Sequence, residues 1–112
     1  MKGSAGAGDE SAPAEGNPMN TIPDLFPRGR VVATPGVLDA LAAAAVDPAV
    51  LLARHAVGDW GDLCEADRKE NEFSLNKGFR LLSSYRLPDG ATVWIITEAD
   101  RSATTLLLPS EY

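Results

Sequence analysis

The chain has 112 residues, with ten Lys and Arg against sixteen Asp and Glu and a formal charge of −6; this bounds it to one small domain and argues against a general affinity for nucleic-acid phosphates, leaving only a local basic strip open. Its composition, 45% apolar and 23% charged, is that of an ordinary globular domain, and its single Cys and single His supply neither a disulfide nor the ligand set of a usual zinc site. No apolar run nears the roughly 20 residues of a membrane span and the N-terminus lacks a secretory apolar core, so the expected address is the cytoplasm.

Residues Met1 to Gly29 are rich in Gly, Ala, Pro, Ser and Asn and hold almost no apolar residue before Ile22. Such a segment buries too little surface to offset the entropy of ordering, so residues 1–29 are expected to form a flexible tail and residues 30–112 the single domain. Within the tail, Ile22-Pro23-Asp24-Leu25-Phe26-Pro27 sets three apolar residues among prolines, a pre-extended stretch able to lie on the domain or on a partner.

Arg30 to Ala33 reads as a short strand, followed by Thr34 as N-cap and Pro35 at the first helical position. Val37, Leu38, Leu41 and Ala45 then recur at helical spacing. Asp47-Pro48 repeats the start signal for a second helix, Pro48 to Val57, stopped by Gly58. A third helix is expected from the capping box Asp62-Leu63-Cys64-Glu65 to Gly78, with Leu63, Ala66 and Phe73 as its buried stripe.

The apolar period then falls from about 3.6 to about 2. Phe79 to Leu87 alternates apolar odd positions with polar Arg80, Ser84 and Arg86, and Pro88-Asp89-Gly90 is a hairpin turn. Thr92 to Thr97 is apolar on both faces, and Ser102 to Leu108 follows a tight turn at Ala99-Asp100-Arg101. The predicted fold is α+β: two or three short helices packed on one face of a three- or four-stranded antiparallel sheet that ends as a meander. Phe79, Leu81, Tyr85, Val93, Ile95 and Leu107 are the expected core partners of the third helix.

Arg54 to Asn76 holds the only His, the only Cys and one of the two Trp residues. His55 ends the second helix, where the helix dipole and Asp59 favour its charged form; it reads either as a catalytic acid or base or as a cap for the helix carbonyls. Trp60, framed by Gly58 and Gly61, is either a core plug or an exposed anchor for a partner. From Gly58 to Glu72 six acids stand against two bases, a net −4 that equals the imbalance of everything from Gly29 onward. Asp59 and Asp67 belong to that acidic surface, while Glu70 and Asn71 lie on or beside the apolar stripe, placed to bond to the sheet. Arg80, Arg86 and Arg101 form a candidate basic strip. Cys64, between Asp62 and Glu65, reads as structural.

The stretches RHAVGDWGDLCEADRKEN, FRLLSSYRLPDG and VWIITEADRSATTLLLPSEY resemble a family of small, uncharacterised bacterial proteins described as plasmid-related and sometimes labelled type I restriction endonuclease subunit M. The likeness runs from Val31 to Tyr112 and implies cargo of plasmids and other mobile elements. An adenine methyltransferase subunit needs a cofactor-binding α/β domain and an Asn-Pro-Pro-Tyr or Asp-Pro-Pro-Tyr motif, and this sequence has neither.

Two classes of function follow. The first is a non-enzymatic protein-binding regulator that meets a protein partner through His55, Asp59, Trp60, Asp67, Glu70 and Asn71, with no cofactor and no metal. The alternative is a ribonuclease similar to the RelE and ParE toxins, with His55, Arg86 and Arg101 as its catalytic set. Charge separates them, because those toxins are usually basic and this chain is acidic.

Overall fold

A computed structural model of the chain describes residues 23–112; the expected tail up to Ile22 lies outside the described residues. In chain order the elements are β1 (Arg30–Ala33), α1 (Pro35–Ala43), α2 (Pro48–Ala56), α3 (Glu65–Lys77), β2 (Leu81–Arg86), β3 (Thr92–Thr97), β4 (Ala103–Leu107) and a 3-10 turn, Pro109–Glu111. The fold is α+β, with one four-stranded sheet in the order β1-β4-β3-β2. β2, β3 and β4 form the antiparallel meander, but β1 joins β4 in parallel, which corrects the fully antiparallel expectation. β1 and β4 are joined only through the helices and the other two strands, a connection long enough to leave strand direction free where a tight turn would impose an antiparallel neighbour.

The helix starts follow their caps. Thr34 Oγ1 accepts from the Val37 N–H at 3.1 Å and Asp47 Oδ1 from the Ala49 N–H at 2.9 Å, each ahead of a proline. Val37 and Leu41 of α1 and Leu51 of α2 are buried against Tyr85, Leu87, Val93, Ile95 and Leu106, forming the main core on one face of the sheet. Leu38 stays exposed.

α3 departs from expectation. It begins at Glu65 with Cys64 as an N-cap that makes no side-chain bond, so the capping box does not form. Asp62 instead accepts the Arg86 N–H at 2.8 Å, because its loop runs beside β2. Ala66, Phe73 and Phe79 are exposed rather than core, Leu63 is only partly buried, and the buried residues of α3 are Asn71 and Ser74. The stripe was misplaced because α3 meets the sheet at the edge of β2, where Asn71 bonds to Leu82 and Leu75, not Phe73, packs against Phe26, Trp60 and Leu81. Phe73 stacks on Phe79 with ring centroids 5.8 Å apart, the contact that accompanies a left-handed helix end: Gly78, at φ 75°, lets its own N–H and that of Phe79 both reach Ser74 O.

The register assigns the two faces. Leu81, Thr97 and Thr104 share a row on the helix-covered face, as do Ser83, Ile95 and Leu106. On the other face Ser84, Trp94 and Leu107 form one row, and Leu82, Ile96, Thr105 and Val32 the next. Leu107 is therefore buried away from the helices, a second correction to the expected core. That open face is touched by the C-terminal turn, which sets Tyr112 edge-to-face on Trp94 at 5.8 Å.

Candidate functional site

A chain of polar side chains is buried beside the apolar core. His55, fully buried in the last turn of α2, lies over the sheet with Nδ1 2.5 Å from Ser83 Oγ and Nε2 2.9 Å from Thr97 Oγ1. Thr97 Oγ1 is 2.7 Å from Thr104 Oγ1, whose hydroxyl donates to the Arg28 carbonyl at 2.7 Å. A carbonyl only accepts, so the proton positions along the chain are assigned from that end. Thr104 donates to Arg28, Thr97 donates to Thr104, His55 donates from Nε2 to Thr97, and Ser83 donates to Nδ1. Every group is satisfied by neutral imidazole, and burial, together with the charge of Arg28, holds its pKa down at about 4. The charged form expected from the helix end is overturned, because Asp59 is turned away toward Arg54 at 2.7 Å.

An aromatic layer seals this chain. Phe26 meets the imidazole edge-on at 5.3 Å, Trp60 does so at 5.7 Å, and Phe26 and Trp60 stack at 6.4 Å. Residues 23–29, placed in the tail by composition, thus lie on the domain: Phe26 is buried with Trp60 and Leu81, and the Leu25 N–H donates to Ala56 O at 2.8 Å. Arg101, at φ 62°, fans its guanidinium onto four carbonyls, Nη1 to Phe79, Glu98 and Ala99 and Nη2 to Ser74, and it passes 5.8 Å from the Phe26 ring. It works as a clip between α3, the β3–β4 turn and the arm.

Trp60 is a plug, 2% exposed, with its indole N–H on Glu72 at 2.9 Å; it offers no exposed anchor. Around it the loop Asp59–Asp62 runs parallel to β2, exchanging Ser84 N–H to Trp60 O at 3.1 Å and Asp62 N–H to Ser84 O. Gly61 makes this approach possible: its φ is 77°, and a Cβ there would stand 2.1 Å from Ser84 O. Asn71 completes the edge by bonding both backbone groups of Leu82, accepting from its N–H at 3.1 Å and donating to its carbonyl at 2.5 Å. This is the bond to the sheet expected of Asn71; Glu70 makes none and faces solvent. Tyr85, its pKa pushed up to about 12 mainly by burial, donates to Asp59 O at 2.7 Å beneath the Arg54 guanidinium. The Arg54 partner holds the Asp59 carboxyl below its usual range.

The six candidate binding residues therefore divide. His55, Trp60 and Asn71 are buried, and only Asp59, Asp67 and Glu70 are exposed. The nuclease set is not brought together: His55 lies under the helices, Arg86 projects on the opposite face of the sheet, and the Arg101 guanidinium is occupied by carbonyls. The basic strip loses Arg101 but keeps Arg80 and Arg86. Sequence reasoning missed Ser83, Thr97 and Thr104; the readable signal was a hydroxyl at an inward position in each of three apolar strands. Among the described residues no group of three or more His, Cys, Asp or Glu is placed to hold a metal ion, and no single helix is long and apolar enough to cross a membrane. Comparison with protein-family models, with curated proteins and with solved structures gave no match.

Proposed function

We propose that the chain is a non-enzymatic, protein-binding regulator whose contact surface is the outer side of α3 and the turn that follows it. The observation that carries this reading is the exposure of α3: of its 13 residues only Asn71 and Ser74 are buried, while Glu65, Asp67, Glu70 and Phe73 face solvent. The half-exposed Phe73–Phe79 pair replaces Trp60 as the apolar anchor, and the acids form its charged rim, the usual anatomy of a contact patch. Glu65 is paired with Lys69 at 3.4 Å, so a partner with a basic group fits Asp67 and Glu70, which make no ion pair among the described residues. The motif residues behind the resemblance to plasmid-related proteins include those of the buried chain, the edge loop and the Arg101 clip, so the likeness supports a shared scaffold.

The test is affinity capture from a host carrying the gene, run with the native chain, Asp67→Lys/Glu70→Lys and Phe73→Ala. The expected outcome is a partner held by the native chain and lost from both variants, with thermal unfolding little changed in the charge-reversal variant and still a single cooperative transition in Phe73→Ala. A parallel ribosome-dependent mRNA cleavage assay decides the other way: cleavage abolished by Arg86→Ala establishes a nuclease.

A further inference from the structure

The helix-free face of the sheet carries a charge and an aromatic pattern that the contact patch on α3 does not use. The register puts Arg86 of β2 and Arg30 of β1 on this face, and Arg80 stands just ahead of β2 on the same side. Among the described residues Arg30 and Arg86 make no ion pair, and Arg80 shares its charge with Glu98 at 3.5 Å, both half-exposed. The acidic excess from Gly29 onward falls in the Gly58–Glu72 stretch rather than on the strands of this face, although its Asp62 reaches the β2 edge, where the carboxylate accepts the Arg86 backbone N–H at 2.8 Å. Between the arginines lie two aromatic rings, Trp94 in the middle of β3 and Tyr112, 70% exposed and set edge-on to it. The Arg80 guanidinium donates to the Tyr112 hydroxyl at 2.7 Å and lies 5.9 Å from its ring. Ser84, Thr92 and Thr105 are half-buried on the same face and add hydroxyls.

We propose that this open face is a platform for single-stranded nucleic acid, on which the exposed Tyr112 stacks with a base beside the half-buried Trp94 while Arg30, Arg80 and Arg86 hold phosphates. Charge complementarity selects an acidic occupant, and the rings select among acidic occupants. An acidic peptide would satisfy the arginines and leave the flat rings unused, whereas every unpaired base has a π-face to lay on them. A duplex hides those faces within its own stack, so the strand is single. The local charge is small, and binding is weak and confined to this face rather than general.

Labelled dT12 and rU12 titrated at low salt, followed by anisotropy and by Trp fluorescence, test the proposal. The expected result is saturable binding, with log K falling against log[salt] at a slope of about −2, since each phosphate held on a single strand contributes about 0.7. Arg30→Ala/Arg86→Ala changes only exposed side chains and should weaken binding tenfold or more while leaving thermal unfolding unchanged. Trp94→Phe should abolish the fluorescence quench, because Trp60 is sealed. Tighter binding of rU12 than of dT12 would identify RNA as the strand. Absence of binding, binding unchanged in the double arginine variant, or capture of a poly-glutamate peptide in place of either oligonucleotide would overturn the proposal.

Discussion

A neutral histidine inside a chain of hydroxyls links protons to stability. The unfolded chain takes up a proton on His55 near its ordinary pKa of 6.5, while the folded protein resists protonation down to about 4. The unfolded state thus binds more protons between those values, and stability falls as pH falls. The contribution is fully present above about pH 6.5 and is lost by about pH 4, on the order of 3 kcal/mol at 1.36 kcal/mol per pKa unit. Urea unfolding between pH 7.5 and 4.5 should show this slope in the native chain and a clearly flatter one in His55→Gln, which can still donate and accept. Equal slopes would mean that carboxylates, not His55, carry the acid sensitivity. Arg101 shows the same logic without titration: four carbonyls from three segments converge on one guanidinium, a geometry an ammonium cannot copy.

At the scale of elements, the two sheet edges are treated differently. β2 is closed by the Trp60–Asp62 loop and by Asn71, so its backbone offers no template for another strand. Asn71→Ala removes both partners of Leu82 and should cost about 2 to 4 kcal/mol, since a deprived buried backbone group costs about 1 to 3. Gly61→Ala should be at least as damaging, because it combines a positive φ with a clash against Ser84 O. Phe73→Ala, by contrast, removes a half-exposed ring and should cost only about 1 kcal/mol. Chemical denaturation of the three variants checks the ranking; a loss above about 3 kcal/mol for Phe73→Ala would restore the buried stripe first read from the helix spacing.

At the scale of the whole molecule, the arm before β1 acts as part of the core. Phe26 covers His55 and Trp60, Arg28 terminates the hydrogen-bond chain, and the arm crosses from the end of α2 to the start of β1. Phe26→Ala should cost about 3 to 5 kcal/mol, the range for buried aromatic truncation, and should red-shift the emission of Trp60 as water reaches the indole. An unshifted spectrum with a stability change below about 1 kcal/mol would show that the arm lies loosely.

Local chemistry alone determined much of this protein. Thr34-Pro35 and Asp47-Pro48 start helices, Gly78 ends one, and Pro88-Asp89-Gly90 turns a hairpin, because each acts within a few residues of itself. The alternation of Leu81 to Leu87 and the apolar run Thr92 to Thr97 similarly set a sheet with a buried face. What depends on distant partners was out of reach. Period counting placed Phe73 inward, but a helix on a sheet edge needs Asn71 there to stand in for a missing strand. Ser83, Thr97 and Thr104 read as ordinary strand hydroxyls until the fold put them beneath one imidazole. Composition from Met1 to Gly29 pointed to a tail, and the apolar run Ile22 to Pro27 was legible as able to lie on the domain or on a partner; that Phe26 lies over His55 and Trp60 only the fold decided. Only the tertiary structure decided these points, because each is a contact between segments that the sequence keeps far apart.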